Sequence, residues 1–196
     1  MRAASSGYCC NRGPSLNRGP LDKRLPLCRD RRASQSRAHS APDWRYACRV
    51  GKDIDCELCG NPGGELLWED GFCRVVRVAG AEREAFPGFC RVVWHEHVAE
   101  MSDLPANEAR HLMDVVLATE RAVRRVVRSD KINLASLGNV VAHLHWHVIP
   151  RWKDDSHFPA PIWAAAKRSG ASRPVPSDAA LLHALSTEFS TLTPSP

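Results

Sequence analysis

The sequence has no run approaching the ~18 to 20 uninterrupted apolar residues that a membrane span requires, and its N-terminus lacks the apolar core of a secretory signal. A protein with neither feature is expected to stay off the membrane and in the cytoplasm. No segment recurs at a fixed period, which excludes solenoid and propeller architectures. Basic charge is also scarce outside one segment. The formal net charge is +5, yet residues 1–47 hold nine Arg and one Lys against Asp22, Asp30 and Asp43, a net of +7, which leaves −2 for the rest. A mildly acidic domain has no electrostatic footprint for a duplex, so no nucleic-acid partner is expected.

A disulfide framework is missing as well. The eight cysteines, Cys9, Cys10, Cys28, Cys48, Cys56, Cys59, Cys73 and Cys90, are scattered rather than regularly spaced, and no export signal delivers them to an oxidising compartment. Most are expected to be thiols, with Cys73 and Cys90 acting as small core residues inside apolar strands. Residues 1–48 are rich in Arg, Ser, Gly and Pro and poor in periodic apolar residues, so they cannot bury enough surface to offset ordering entropy and are expected to be disordered. Their Arg-rich, acid-poor character suits an organelle transit peptide; sequence upstream of the true start is the reading favoured here.

What remains is a domain over 49–165 and a tail over 166–196 carrying a short helix at 178–189. Short β-rich runs at 65–68, 72–78 and 89–94 predict a hairpin and a third strand, the first two joined by Glu69-Asp70-Gly71. The consecutive apolar residues of FCRVVW predict burial on both faces. One long helix follows over 101–130, opened by Pro105, with Leu112, Val116, Val123 and Val127 as its apolar stripe. Arg110, Arg121, Arg124, Arg125 and Arg128 read as its solvated face. Strands over 131–137 and 140–150 complete an α+β fold with a largely antiparallel sheet, the last strand stopping at Pro150.

That last strand contains AHLHWHVIPR, three of the chain's nine histidines at alternate positions. In a strand, His143, His145 and His147 share one face while Leu144, Trp146 and Val148 point into the core. At about 3.3 Å per residue the outer two stand roughly 13 Å apart and about 6.6 Å from the middle one. All three cannot reach one atom. A row of imidazoles along a substrate fits this spacing, with the central ring at the reacting atom, because imidazole titrates near neutrality and serves as nucleophile or proton donor. Three surface histidines on an exposed sheet is the bland alternative, and perfect alternation among apolar residues counts against it.

HLHWHVIPR resembles the His-φ-His-φ-His-φ-φ signature of the histidine triad (HIT) superfamily of nucleotide hydrolases and transferases, and the resemblance runs over roughly 55–165. It is also similar to bacterial HIT proteins that begin with Cys-x-x-Cys and carry PGF…V.W..H before the long helix. The resemblance implies a HIT-like fold, a nucleotide substrate, and a covalent nucleotidyl-histidine formed by His145 at the α-phosphorus. It further implies that His147 contacts phosphate oxygens or the departing group and that His143 orients the reacting ring. A histidine at the third position points to the hydrolase branches, acting on phosphoramidates or dinucleoside polyphosphates. Asn133, Gly138 and Asn139 lie where the family contacts phosphate and ribose; a polar strand residue and a plain turn are the alternatives. Two positions depart from the pattern: Val140 stands where several members have Ser or Thr, and Phe89 where some have a fourth histidine.

CELC, with Cys56 and Cys59, has the two-residue gap that places two thiolates at adjacent corners of a tetrahedron. The resemblance implies a structural Zn2+ held by Cys56, Cys59, His97 and His143, and no organic cofactor. Free thiols, with His95 and His97 at the strand end, are the alternative. Many family members form homodimers through the long helix and neighbouring strands, and the same is expected here. Three readings stand: a nucleotidyl hydrolase, a non-catalytic nucleotide- or zinc-binding protein of the same fold, and a zinc hydrolase using His143 and His145 as ligands.

Overall fold

Two segments of nearly identical text, CRVVR and CRVVW, pair at the middle of a sheet. The strands are β1 (Glu65–Glu69), β2 (Cys73–Arg77), β3 (Cys90–Trp94), β4 (Lys131–Ala135) and β5 (His145–Arg151), ordered β1-β2-β3-β5-β4 with every neighbour antiparallel. The register sets Cys73 opposite Trp94, Val75 opposite Val92 and Arg77 opposite Cys90. One face therefore carries Cys73, Val75, Cys90, Val92, Trp94 and Val148, all buried in the main core, with both thiols inside as the sequence suggested. The opposite face buries Val76 and Val93 against Leu58. Burial on both faces explains why these strands lack a simple apolar-polar alternation.

A computed structural model describes residues 52–192. The disorder expected over 1–48, and Cys9, Cys10, Cys28 and Cys48, lie outside the described residues.

Four helices accompany the sheet among the described residues: α1 (Glu57–Gly60), α2 (Ala81–Ala85), α3 (Ala106–Val127) and α4 (Asp178–Phe189). A separate 3-10 turn at Met101–Asp103 precedes α3, so the helix expected from residue 101 begins only after Pro105, its N-cap. It ends where Arg128 adopts a left-handed conformation, φ 51°. Leu112, Val115, Val116, Ala122 and Val123 lie fully buried against the sheet and α4.

The segment expected as a tail is joined to this core. Leu181 and Leu185 of α4 are buried in the same cluster, each contributing about 1.5–3 kcal/mol of burial energy, and Phe189 packs on Trp68 of β1 at 4.1 Å between ring centroids. Glu188 accepts from Arg121 Nε at 2.6 Å and from Arg125. The arginine face of α3 is thus not wholly solvated. A partner more than sixty residues away leaves no mark on helical periodicity.

Two other expectations shift. The last strand starts at His145 rather than residue 140, and it continues through Pro150, opposite Ile132, to Arg151. β3 pairs with β5 only as far as Val148, so Pro150 has a strand neighbour on one side only, where a missing donor is tolerated. α1 and α2 were not anticipated, because one-turn helices leave no periodic stripe to read.

Candidate functional site

His145 and His147 begin β5 on the face away from α3. Their positions on the pleat follow from the alternation, but their ring nitrogens lie much closer than the backbone spacing suggests: Nε2 to Nε2 is 3.1 Å, with ring centroids 4.7 Å apart. His143 is not in line with them. It sits in a bend before the strand, fully buried, with its ring turned away toward Cys56 and Cys59. The expected row of three is therefore a pair plus one, because the sheet ladder that enforces alternation begins only at His145.

The hydrogen bonds fix the tautomers. His145 Nδ1 lies 2.6 Å from the His143 carbonyl oxygen, which only accepts, so Nδ1 carries the proton and Nε2 keeps its lone pair. His147 then donates Nε2–H toward His145 Nε2, leaving its own Nδ1 buried without a partner. Burial lowers the pKa of both rings; in His147 the charges of His145 and Arg91 add to it, and the value falls to about 3. Both rings are neutral at pH 7. A neutral imidazole held by its Nδ1–H presents a nucleophilic Nε2, and the adjacent N–H of His147 is a hydrogen-bond donor for charge developing beside it.

These nitrogens open into a cavity of about 410 Å3, lined also by Gly138, Asn139, Val140, Arg91 and Trp163. Gly138, at φ 70°, turns the chain after β4 and brings Asn139 to the rim. Asn133 lies elsewhere. It lines a neighbouring cavity of about 690 Å3 that shares Leu137 and Trp163 with the first, and its Oδ1 accepts from Arg151 Nη1 at 2.7 Å. Val140 is 98% exposed at the mouth, and Phe89 packs on His147 at 5.8 Å between centroids.

Trp163 meets His147 edge-on at 5.1 Å, and a buried ion pair anchors the loop that carries it. Arg151 donates Nε to Asp155 Oδ2 at 2.8 Å, Nη2 to Asp155 Oδ1 at 3.0 Å, and Nη2 to the Ala160 carbonyl at 2.9 Å. Asp155 also accepts from the backbone N–H groups of Trp152, His157 and Phe158. Burial alone would raise this carboxyl; the Arg151 guanidinium and those amides overcome it and hold the pKa at about 2.

On the other side of His143, four potential ligands converge: Cys56, Cys59, His97 and His143 offer donor atoms all within 4.8 Å of one another. His143 Nδ1 is 3.4 Å from Cys56 Sγ and 3.5 Å from Cys59 Sγ, and His97 Nδ1 is 3.4 Å from Cys59 Sγ. A tetrahedron with metal–sulfur bonds of about 2.3 Å and metal–nitrogen bonds of about 2.0–2.1 Å has sulfur–nitrogen edges of about 3.5–3.6 Å. The donor set fits. His143 gives Nε2–H to the Trp94 carbonyl at 2.8 Å, leaving Nδ1 as the free lone pair facing both sulfurs. Burial pushes the Cys59 thiol up, opposed by the Asp53 amide and reinforced by Cys56.

Arg74, Arg91 and Trp163 belong to this region and were not singled out from sequence. Arg74 clasps the α1 turn by donating to the carbonyls of Leu58 at 2.7 Å, Pro62 at 3.0 Å and Asn61 at 3.2 Å. For the two arginines the available signal was charge inside otherwise apolar strand texts, Arg74 and Arg77 in CRVVR and Arg91 in CRVVW, since a charge on a buried face needs a partner or a function.

Residues 72–154 match the family model of the HIT domain. The AP-4-A phosphorylase of Mycobacterium tuberculosis (strain ATCC 25618 / H37Rv) is 33% identical over 78 residues, covering 37% of this chain and 40% of the relative. The chain thus spans about 40% of the length of the curated relatives it matches. A histidine triad protein from Marinobacter aquaeolei VT8 superposes with a TM-score of 0.55 at 24% identity, covering 73% of this chain and 100% of that one. A second, from Bradyrhizobium japonicum, gives 0.51 at 24% identity over 63% and 90% of the two chains. Both share the fold.

Proposed function

We propose that this chain, whose residues 72–154 match the family model of the HIT domain, is a nucleotide hydrolase or nucleotidyl transferase working through a covalent intermediate on His145. The observation that carries this reading is the tautomer of His145, whose Nδ1–H is held by the His143 carbonyl so that Nε2 faces the cavity as a lone pair. Nε2 forms a bond to the α-phosphorus as the bond to the leaving group breaks with its electron pair. His147 Nε2–H hydrogen-bonds the departing atom as negative charge builds on it, and the leaving group takes up its proton from solvent. Water then attacks phosphorus, releasing a proton to solvent, and the nitrogen–phosphorus bond breaks with its electron pair returning to Nε2. Orthophosphate in place of water would give phosphorolysis, the reaction named for the mycobacterial relative. Gly138 and Asn139 are proposed to hold phosphate oxygens at the rim, with Asn133 in the adjoining cavity toward the nucleoside.

Cys56, Cys59, His97 and His143 are proposed to hold a structural Zn2+, which when bound would tie α1 to the sheet and leave His145 free. The ring of His143 is thereby committed to the metal, and its carbonyl does the orienting. This disfavours a zinc hydrolase with His143 and His145 as ligands, since the Nδ1 atoms of the two rings face different groups. A homodimer is also proposed, covering the free edge of β4 and the exposed Leu117 of α3; light scattering tests it.

Rapid acid-free quenching of a reaction with a dinucleoside polyphosphate or an adenosine phosphoramidate, followed by peptide mass spectrometry, tests the chemistry. A nucleotidyl adduct on His145 is expected, and His145→Ala is expected to lose turnover while keeping nucleotide affinity and zinc. Full turnover in His145→Ala would refute the assignment.

A further inference from the structure

Arg91 lies opposite His147 in the pairing of β3 with β5, so both side chains rise from the same face of the sheet, about 5 Å apart at their Cβ atoms. It lines the cavity with His145 and His147 and, among the described residues, is the only Lys or Arg in the lining. Its guanidinium is poorly occupied. Nη1 donates to the Gly63 carbonyl at 3.3 Å and Nη2 to Glu82 Oε2 at 3.4 Å, both long for charge-assisted bonds, and Nε is buried with no partner. Compare Arg151, whose guanidinium makes four bonds of 2.7–3.0 Å and is shut inside the protein. Arg151 is a structural ion pair; Arg91 retains unused donors at a cavity that contains two phosphate-competent histidines.

The charge balance shows what those donors suit. His147 is neutral, held so by burial, and among the described residues Glu57 is the one carboxylate in the lining. A single nucleotide phosphate can be met by Nε2–H of His147 and the Gly138-Asn139 turn. A chain of phosphates adds about one negative charge per unit, which neutral imidazoles cannot offset, and a planar guanidinium binds successive phosphate oxygens in a fork.

We propose that Arg91 binds the phosphates beyond the scissile bond, making the site selective for nucleotides with a polyphosphate chain over nucleoside phosphoramidates. The inference rests on the proposed attack at the α-phosphorus, which places the leaving group beside His147 and hence beside Arg91. Glu82, at the first turn of α2, holds the guanidinium by its long bond until the phosphates displace it.

The test measures binding of AMP and ATP to the full chain by calorimetry, in magnesium-free buffer of fixed ionic strength, for the parent, Arg91→Leu, Arg91→Lys and Glu82→Gln. Loss of a charge-assisted pair corresponds to about tenfold to hundredfold in affinity. Arg91→Leu is expected to weaken ATP by at least about tenfold and AMP by less than about threefold. Arg91→Lys should recover part of the loss, and Glu82→Gln should tighten ATP alone. Equal weakening of both nucleotides would put Arg91 on the α-phosphate and overturn the proposal, as would no change in either. If Arg91→Leu does not fold, the ATP-to-AMP ratios of Arg91→Lys and Glu82→Gln decide the matter in the same way. Turnover is read separately with a dinucleoside polyphosphate: a parent that binds ATP through Arg91 but never reacts would defeat the proposed chemistry and leave the binding assignment standing.

Discussion

Replacing Asp155 with Asn removes the charge at the centre of the Arg151 clasp while keeping the side chain's shape. Both partners are buried, at 1% exposure each, so Arg151 would be left as an uncompensated cation in the interior. Breaking a buried pair by removing one partner costs about 3–5 kcal/mol, and in a domain of roughly 150 residues this lowers Tm by about 6–20 °C. The same carboxylate accepts from the amides of Trp152, His157 and Phe158, so the substitution also loosens the loop that brings Trp163 to His147. Urea unfolding followed by circular dichroism measures the cost, with Arg151→Met and the double variant completing a cycle. The double variant should be more stable than Asp155→Asn alone, because it no longer buries an unpaired cation. A cost below about 1 kcal/mol for Asp155→Asn, or simple additivity in the cycle, would refute the clasp as the anchor of this loop.

Stability should also fall with acid through His147, whose folded pKa of about 3 lies below the unfolded value of 6.5. The contribution is complete above pH 6.5 and declines as the unfolded chain takes up the proton the buried ring refuses, by about 1.4 kcal/mol per pH unit. His147→Gln should flatten the pH dependence between 6 and 4 by roughly that slope; superimposable curves would contradict it. Cys59→Ser should lower zinc content measured by mass spectrometry and reduce Tm, and a chelator should do the same to the parent but leave the variant nearly unchanged. Equal metal content in both would remove Cys59 from the ligand set. Gly88→Ala should cost about 1–3 kcal/mol, because Gly88 has φ +92° and an added Cβ would stand 2.7 Å from Val127 Cγ1; a neutral effect in thermal melting would show that α3 yields there.

The candidate site was legible where local chemistry is periodic. Alternation placed His145 and His147 on one face, and a two-residue gap marked Cys56 and Cys59 as a pair. The same reasoning failed at His143, because alternation extends only as far as the sheet ladder and the ladder starts two residues later. It also passed over Arg91, since nothing in FCRVVW tells a paired arginine from one left open to a cavity. Glu82, its partner nine residues earlier, sits on a one-turn helix with no periodic signature.

By itself the sequence determined the five strands, the two longer helices and the antiparallel α+β class, because each follows from spacing along one segment against its own pleat or helical turn. Only the tertiary structure decided how His143 divides its work, with its ring facing two sulfurs nearly ninety residues away and its carbonyl fixing the tautomer of His145. The same holds for the binding of α4 to α3 and the anchoring of the Trp163 loop on Arg151. These are contacts between segments distant in the chain, and their geometry is set by which faces pack together, a property no single stretch of residues carries.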